Sequence, residues 1–386
     1  VEIGDQIEVD VSSIAHGGHC VARHEGQVIF VRHAIPGERV LVEITAKTKN
    51  FARGNCVQVI KPSEFRVTPP CKYATASGCG GCDFQHIELV YQRVLKSQII
   101  VEQFKRLAKI DISIEVEEVS PTQNWRSRME FTVSPNRKLA LFAARSNELI
   151  EIDKCLIAHS KIDLNKINTQ KLPVGKKVDV VISSAGDEQV VIEGRENHGL
   201  IREISSGFEF TLNPISFWQS HVSAPEVLTE VVSEFSQLRA GDHVFDLYGG
   251  AGLFTGMALS QVGLGGRITL IESDENAITD AKRSFAAAHN VEIVQSRVES
   301  ALKKYVAADV VILDPPRAGA GAAVVTAVSK LKPRAIVYVA CDPAALARDT
   351  LYLKEAGFKL EKVRAFDLFP MTSHMECVAR FISEKP

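Results

Sequence analysis

Past about residue 213, short apolar runs and helix-like segments take turns. The runs are HVFDLY, RITLIES, VEIVQS, DVVILDPP, AIVYVAC, KLEKVRAFDLF and ECVARFIS, led by a helix over 223–238 containing PEVLTEVVSEFSQL. That alternation predicts an α/β fold, a doubly wound, mostly parallel seven-stranded sheet. Ligands of such sheets bind beyond the carboxyl ends of the strands, at the point where the strand order reverses. Side chains that close each run are therefore the first candidates for chemistry.

The remainder of the 386 residues has a different texture, and the length suggests two or three domains. Residues 1–62 carry alternating strands, QIEVDVSSI, GHCVARHEG, QVIFVRHAI, RVLVEITAK and RGNCVQVIK, broken at Gly17-Gly18, Glu25-Gly26 and Pro36-Gly37. They fit a small barrel of the OB type. Pro62, Pro69 and Pro70 mark a linker. Helical spacing predicts one long helix over 87–109, and 112–212 reads as strand-rich again. The expected division is a barrel at 1–62, a central β-rich domain at 63–212 and a catalytic-type domain at 213–386, the long helix being free to pack on the last.

A hydrophobic content of 45% is enough for several buried cores. No apolar run reaches the ~18 residues of a membrane span. The chain opens directly on a strand pattern without a secretory leader, so the expectation is a cytoplasmic protein with no membrane partner and, by default, a monomer. Eight cysteines in that setting indicate metal binding or catalysis, not a disulfide scaffold. The net charge of −2 does not by itself announce nucleic acid. Two cationic groups, Lys47, Lys49, Arg53, Lys61, Arg66 and Arg126, Arg128, Arg137, Lys138, Arg145, offer phosphate-contacting faces, with solvated surface as the plainer alternative.

Four strand ends carry the chemistry. Asp246 ends one run, and Tyr248-Gly249-Gly250-Ala251-Gly252 follows it into a helix, which lets backbone approach a ligand. Glu272 closes the next run, where an acid that binds ribose hydroxyls is expected. Thr255 stands where a GxGxxG motif has its third glycine, which favours the adenosyl half of S-adenosylmethionine over a nicotinamide. Asp314-Pro315-Pro316 ends another run; two prolines stiffen the loop that holds the carboxylate. Cys341 closes AIVYVAC and should face the same crevice, an unusual place for an inert thiol. Glu376 on the last run can reach that cleft, whereas Cys377 points to the opposite face and reads as core.

Four further cysteines, Cys71, Cys79, Cys82 and Cys155, have uneven spacing with a single C-x2-C pair. That shape favours an iron–sulfur cluster, and structural zinc is the alternative. Cys20 and Cys56 lie in barrel strands and read as packing residues.

Taken in order, the barrel, CGGC with a distant cysteine, SFWQSH, DLYGGAGLF, LDPPRAGA, ACDPAALARD and HMECV resemble the RNA uridine C5-methyltransferases over essentially the whole chain. The likeness is to the 23S rRNA branch with an N-terminal TRAM domain and a [4Fe–4S] cluster. By this resemblance the fold would be a class I S-adenosylmethionine-dependent methyltransferase. Cys71, Cys79, Cys82 and Cys155 would ligate the cluster. Gln219, Tyr248, Glu272 and Asp314 would line the cofactor and uracil site, with Cys341 as nucleophile and Glu376 as general base. His221, Leu253 and the Cys–Asp–Pro at 341–343 depart from the pattern frequent in the family. The rivals are a tRNA-directed enzyme, a catalytically silent iron–sulfur RNA-binding protein, and amino-methylation of a base at the Asp-Pro-Pro loop. The last leaves Cys341 unexplained.

Overall fold

A computed structural model describes residues 1–195 and 198–384. The N-terminal part is a closed five-stranded barrel: β1 (Gln6–Ile14), β2 (Cys20–His24), β3 (Gln27–Arg32), β4 (Arg39–Lys47) and β5 (Phe51–Lys61), in the order β1-β2-β3-β5-β4. Alternation sends Val9, Val11, Ile29, Val31, Val40 and Val42 inward, where all are buried. Closure needs Gly54, because a Cβ there would lie 2.4 Å from Val42 Cγ1. Cys20 is fully buried and Cys56 half-buried, in keeping with packing.

Helix α1 (Leu89–Gln103) runs on through a π-turn, Phe104–Ala108. It is followed by β6 (Val116–Glu118). A second sheet then forms from β7 (Arg128–Val133), β8 (Leu139–Phe142), β9 (Leu149–Glu151), β10 (Lys177–Ile182) and β11 (Glu188–Ile192), in the order β11-β10-β7-β8-β9 with a short helix α2 (Leu164–Asn168). The hairpin β12 (Ile201–Ser205) and β13 (Phe208–Leu212) comes next. Its Ile201, Phe210 and Leu212 share a core with α3 (Ala224–Ser236) and α4 (Leu253–Val262).

The C-terminal sheet contains β14 (His243–Leu247), β15 (Arg267–Glu272), β16 (Val291–Gln295), β17 (Val310–Leu313), β18 (Ala335–Ala340), β19 (Phe358–Asp367) and β20 (Glu376–Ser383). Its order is β16-β15-β14-β17-β18-β20-β19-β6. The seven expected strands are present, and β6 adds an eighth, parallel to β19 with Val116 opposite Ala365. The strand order reverses between β14 and β17, both parallel to their neighbours, and β20 alone runs antiparallel to β18. Strands β17 and β18 are buried along their whole length, as a sheet covered on both faces requires. The covering helices are α3 and α4 with α5 (Glu275–Ser284), α6 (Val298–Ala301), α7 (Gly321–Lys330) and α8 (Pro343–Glu355). Asp274 and Asp342 cap α5 and α8 by accepting the amides of Ala277 and Ala345, each at 2.8 Å. Such caps contribute about 1 kcal/mol each.

Helix α1 is bound to this sheet, not to the barrel alone. The Gln92 amide donates to Phe84 O and Ile87 O and accepts from the Met371 N–H. Lys96, wholly buried, places Nζ 2.6 Å from Asp367 Oδ1 and 3.1 Å from Phe369 O. Two polar side chains of one helix thereby hold the 368–375 loop that leads into β20. No described helix is long and apolar enough to cross a membrane.

Candidate functional site

The strand register assembles the cleft. In the β18–β20 ladder Val339 faces Val378 and Ala340 faces Cys377, so the next step brings Cys341 opposite Glu376. In the β14–β17 ladder Leu247 faces Leu313, which places Tyr248 beside Asp314; the Asp314 N–H donates to Leu247 O. Four expected positions, Tyr248, Asp314, Cys341 and Glu376, thus line one sheet edge, with Glu272 at the end of neighbouring β15.

The glycine turn is built by exclusion. A Cβ on Gly249 would meet Leu270 Cγ at 2.7 Å, and one on Gly252 (φ +97°) would meet Phe285 Cε2 at 2.3 Å. At Gly250 a Cβ would meet nothing within 4 Å, so this glycine faces open space. Its N–H donates to Glu272 Oε2 at 3.1 Å, which ties the turn to the acidic strand end. Tyr248 is held at φ +59°, a backbone region costly for a bulky residue. Asp246 accepts both the N–H and the hydroxyl of Thr255 on Oδ2, at 3.0 and 2.7 Å, while its buried Oδ1 has no partner. Thr255 therefore replaces the missing glycine with an anchor for Asp246. Burial, opposed by the Thr255 bonds, pushes Asp246 up to about 7.

Around Cys341 the field is acidic. Burial and then Glu376 push its thiol up to about 11, with Asp314 and Asp342 adding and Arg317 opposing. Glu376 is buried, and burial followed by Asp314 lifts its carboxyl well above the usual range. Asp314 is raised in the same direction, by burial and then Asp246. Arg317 is the cation of this group and stands 3.5 Å from His374. It was not expected; its place directly after Asp-Pro-Pro was the available signal. Asp349 of ACDPAALARD holds the loop behind it, accepting from Ala320 N, Gly321 N and the Tyr338 hydroxyl.

Gln219 lies on the β13–α3 loop, half-buried, and no hydrogen bond or ion pair ties it to Tyr248, Glu272 or Asp314 among the described residues. That loop is fixed from outside. Arg128 donates to Pro214 O and Ser216 O and pairs with Glu203 at 2.9 Å, and Trp125 stacks on His221 at 5.6 Å. Arg128 is thus a buried structural cation and not part of a phosphate-contacting face. The same correction applies to Arg66, whose guanidinium is paired with buried Glu38. Charge in a sequence carries no mark of burial.

The four remaining cysteines converge. Cys71, Cys79, Cys82 and Cys155 all line one cavity of about 190 Å³, with Tyr73, Gln85, Arg126 and Ile157 among its walls. Cys79 bridges to Ala143, and the Gly80 N–H donates to Phe142 O; a Cβ on Gly80 would come within 2.8 Å of Ala144 Cα, hence glycine in CGGC. Cys71 is tied through its N–H to Gln85, and Asp153, beside Cys155, binds Lys72 and Tyr73. All four thiols are free. Among the described residues no group of three or more His, Cys, Asp and Glu side chains is arranged to hold a metal ion.

This doubly wound sheet with its glycine turn defines a class I methyltransferase fold. A solved structure from Pyrococcus abyssi, tRNA (uracil-54, C5)-methyltransferase in complex with S-adenosyl-L-homocysteine, superposes with a TM-score of 0.75 at 22% identity, covering 97% of this chain and 100% of that one. The family profile described as tRNA (Uracil-5-)-methyltransferase matches residues 91–383, and the TRAM domain profile matches 1–57. The chain belongs to the tRNA (uracil-5-)-methyltransferase family. Its relatives include uncharacterized RNA methyltransferases of Streptomyces coelicolor, 37% identical over 98% of this chain and 93% of that protein, and of Streptomyces avermitilis, 37% identical over 98% of each. Another, from Thermotoga maritima, is 29% identical over 97% of this chain and 98% of that protein.

Proposed function

We propose that this protein methylates C5 of a uridine in RNA, with Cys341 as nucleophile and Glu376 as base. The observation that carries the proposal is the register that sets Cys341 opposite Glu376 at one strand edge, with Asp314 and Arg317 beside them. Uracil C5 is a weak carbon nucleophile, and covalent catalysis makes it a strong one. The Cys341 thiolate forms a bond to C6, and the C5=C6 electron pair moves toward C5 and O4. S-adenosylmethionine supplies a sulfonium methyl when bound, and C5 takes that methyl while the bonding pair leaves on sulfur. Glu376 then removes the C5 proton, the C5=C6 bond re-forms, and Cys341 departs as thiolate. The residues present suit the donor: the Gly250 gap, the Glu272 carboxylate and the unpartnered Asp246 Oδ1 all adjoin the turn after β14. Gln219, Tyr248, Glu272 and Asp314 are assigned to holding donor and base.

The Cys341 thiol, pushed up to about 11, holds its proton at neutral pH, so substrate binding must favour its release; burial and Asp314 shift the Glu376 carboxyl upward as well, which strengthens it as a base. Taking the uridine out of its stack costs a few kcal/mol, least in a single-stranded loop. We assign three working units, 1–62, 63–212 and 213–386, with α1 and β6 of the second joined to the sheet of the third, and with the barrel and cysteine cavity presenting RNA to that sheet. The quartet is assigned to a [4Fe–4S] cluster, on the four thiols that line one cavity and on their uneven spacing with a single C-x2-C pair. No step of the reaction passes through it. The substrate assigned is 23S rRNA; tRNA is the second reading, favoured by the family description.

Incubation with 5-fluorouridine RNA and S-adenosylmethionine tests the scheme, because fluorine cannot leave C5 as a proton does. A denaturation-resistant RNA adduct on Cys341 is expected. Its absence, or its persistence in Cys341→Ala, would sink the mechanism. Parallel arms with 23S rRNA and tRNA transcripts separate the two substrates.

A further inference from the structure

The barrel turn 15–19 meets three parts of the molecule at once. His16 Nε2 lies 2.9 Å from Asp342 Oδ2, across 326 residues of chain, and Asp342 directly follows Cys341. The other oxygen, Oδ1, accepts the Ala345 N–H at 2.8 Å. The carboxylate is therefore fixed on one side by its own helix and on the other by the barrel. Two residues on, Gly18 (φ +75°) packs so tightly that a Cβ there would come within 2.3 Å of Ser373 Cβ and 3.1 Å of Phe84 Cε1. Ser373 belongs to the loop ahead of Glu376, and its N–H donates to Asp83 at 2.8 Å. His19 Nε2 lies 2.8 Å from Arg145 Nη2, on the loop after β8.

Resting on the methyltransferase reading above, the geometry points to His16 as a positioning residue for the reaction: it holds Asp342, and so the backbone that carries the Cys341 thiol, and it offsets the negative charge beside that thiol. His16 is 39% exposed and makes no other hydrogen bond among the described residues, so the pair is not part of a buried core.

The charges around the pair fix the sign of its pH dependence. Facing His16 are Asp342 and Glu102, which favour its cation, and Arg106, which opposes it together with burial. The Asp342 hydrogen bond is the largest influence and raises the imidazole above its ordinary 6.5. The cation is therefore complete below that value and is lost as pH rises through the raised one. Facing Cys341 are Glu376, Asp314 and Asp342, which disfavour its thiolate, and Arg317, which favours it. A cationic His16 cancels the Asp342 share of that penalty, and a neutral one does not.

The test is peptide-resolved alkylation of Cys341 by iodoacetamide from pH 6.5 to 9, with kcat and KM for 5-methyluridine formation measured in parallel. Wild type is compared with His16→Ala, His16→Gln, Asp342→Asn and the His16→Ala/Asp342→Asn double variant. At pH 6.5 both His16 variants should alkylate about threefold to tenfold more slowly, a difference set by one charge at the protein surface, and should converge on wild type by pH 9. His16→Gln, which keeps a donor without the charge, should retain more kcat than His16→Ala, with KM little changed. In the Asp342→Asn background the His16→Ala change should do nothing. Superimposable alkylation profiles for wild type and both His16 variants overturn the inference. A Cys341→Ala protein that still methylates RNA overturns the mechanism instead, and the alkylation comparison reads independently of it.

Discussion

Replacing Lys96 with Met should expose how much the buried ion pair under the 368–375 loop contributes. Lys96 and Asp367 are 0% and 2% exposed at their side chains, and the Asp367 carboxylate has no other side-chain hydrogen bond among the described residues. Lys96→Met leaves a carboxylate buried alone, which costs about 3–5 kcal/mol. For a unit of roughly 150–250 residues, that is a fall in melting temperature of roughly 6–20 °C. Removing both charges, as in Lys96→Met/Asp367→Leu, should recover most of it, because a well-packed apolar pair of similar volume is about as stable as the ion pair. Asp367→Asn alone should cost less than Lys96→Met, since burial already lowers the Lys96 pKa and the amine can shed its proton. Folding of that variant releases a proton, so its stability should rise with pH. Urea melts at pH 6, 7 and 9 measure all three. The reasoning is refuted if Lys96→Met costs under about 1 kcal/mol, or if the double variant is less stable than Lys96→Met. Activity per folded molecule should fall as well, about 100-fold for a shift of some 1 Å in the loop that aims Glu376.

Glu376→Gln should stabilise the protein increasingly as pH rises. The native carboxyl holds its proton above the ordinary 4.5, so wild-type stability declines upward from there, while an amide has no such cost; melting curves from pH 4.5 to 8 should show the gap open from near zero. Gly252→Ala combines φ +97° with a Cβ 2.3 Å from Phe285 and should cost about 2–4 kcal/mol, with loss of S-adenosylhomocysteine binding by calorimetry. Cys79→Ser should abolish the visible absorption of protein reconstituted with iron and sulfide; a spectrum and iron content equal to wild type would remove the quartet from its assigned role.

Much of the site was legible because two simple regularities coincide. Strand–helix alternation predicts the parallel sheet, and a parallel sheet gathers the residues that end its strands, so Tyr248, Asp314 and Cys341 could be placed on one edge without coordinates. Glu376 needed one fact more, the antiparallel register of the last strand, which puts its first residue and not its last at that edge. What escaped the sequence depends on distant partners. His16 and Asp342 are joined only by folding, and nothing local in AHGGH announces the contact. Strand β6 is three residues long and pairs with a segment near the opposite end of the chain, so it reads as one more strand of the central region. Arg66 and Arg128 look like surface cations until Glu38 and Glu203 close around them.

The pairing of β6 with β19 also sets an order of events during synthesis. Val116 emerges from the ribosome well before its partner Ala365 exists, and at about 5–20 residues per second the wait is of the order of ten to fifty seconds. The barrel is complete by residue 61, and the fourth cysteine of the quartet arrives at 155. Throughout that interval the apolar face of α1 and its π-turn, with Leu95, Ile99, Ile100 and Phe104, has no C-terminal sheet to cover it. A nascent chain of this protein therefore carries a finished TRAM barrel and an uncovered hydrophobic helix side by side. Its period of greatest exposure to aggregation ends only when β19 and β20 leave the ribosome.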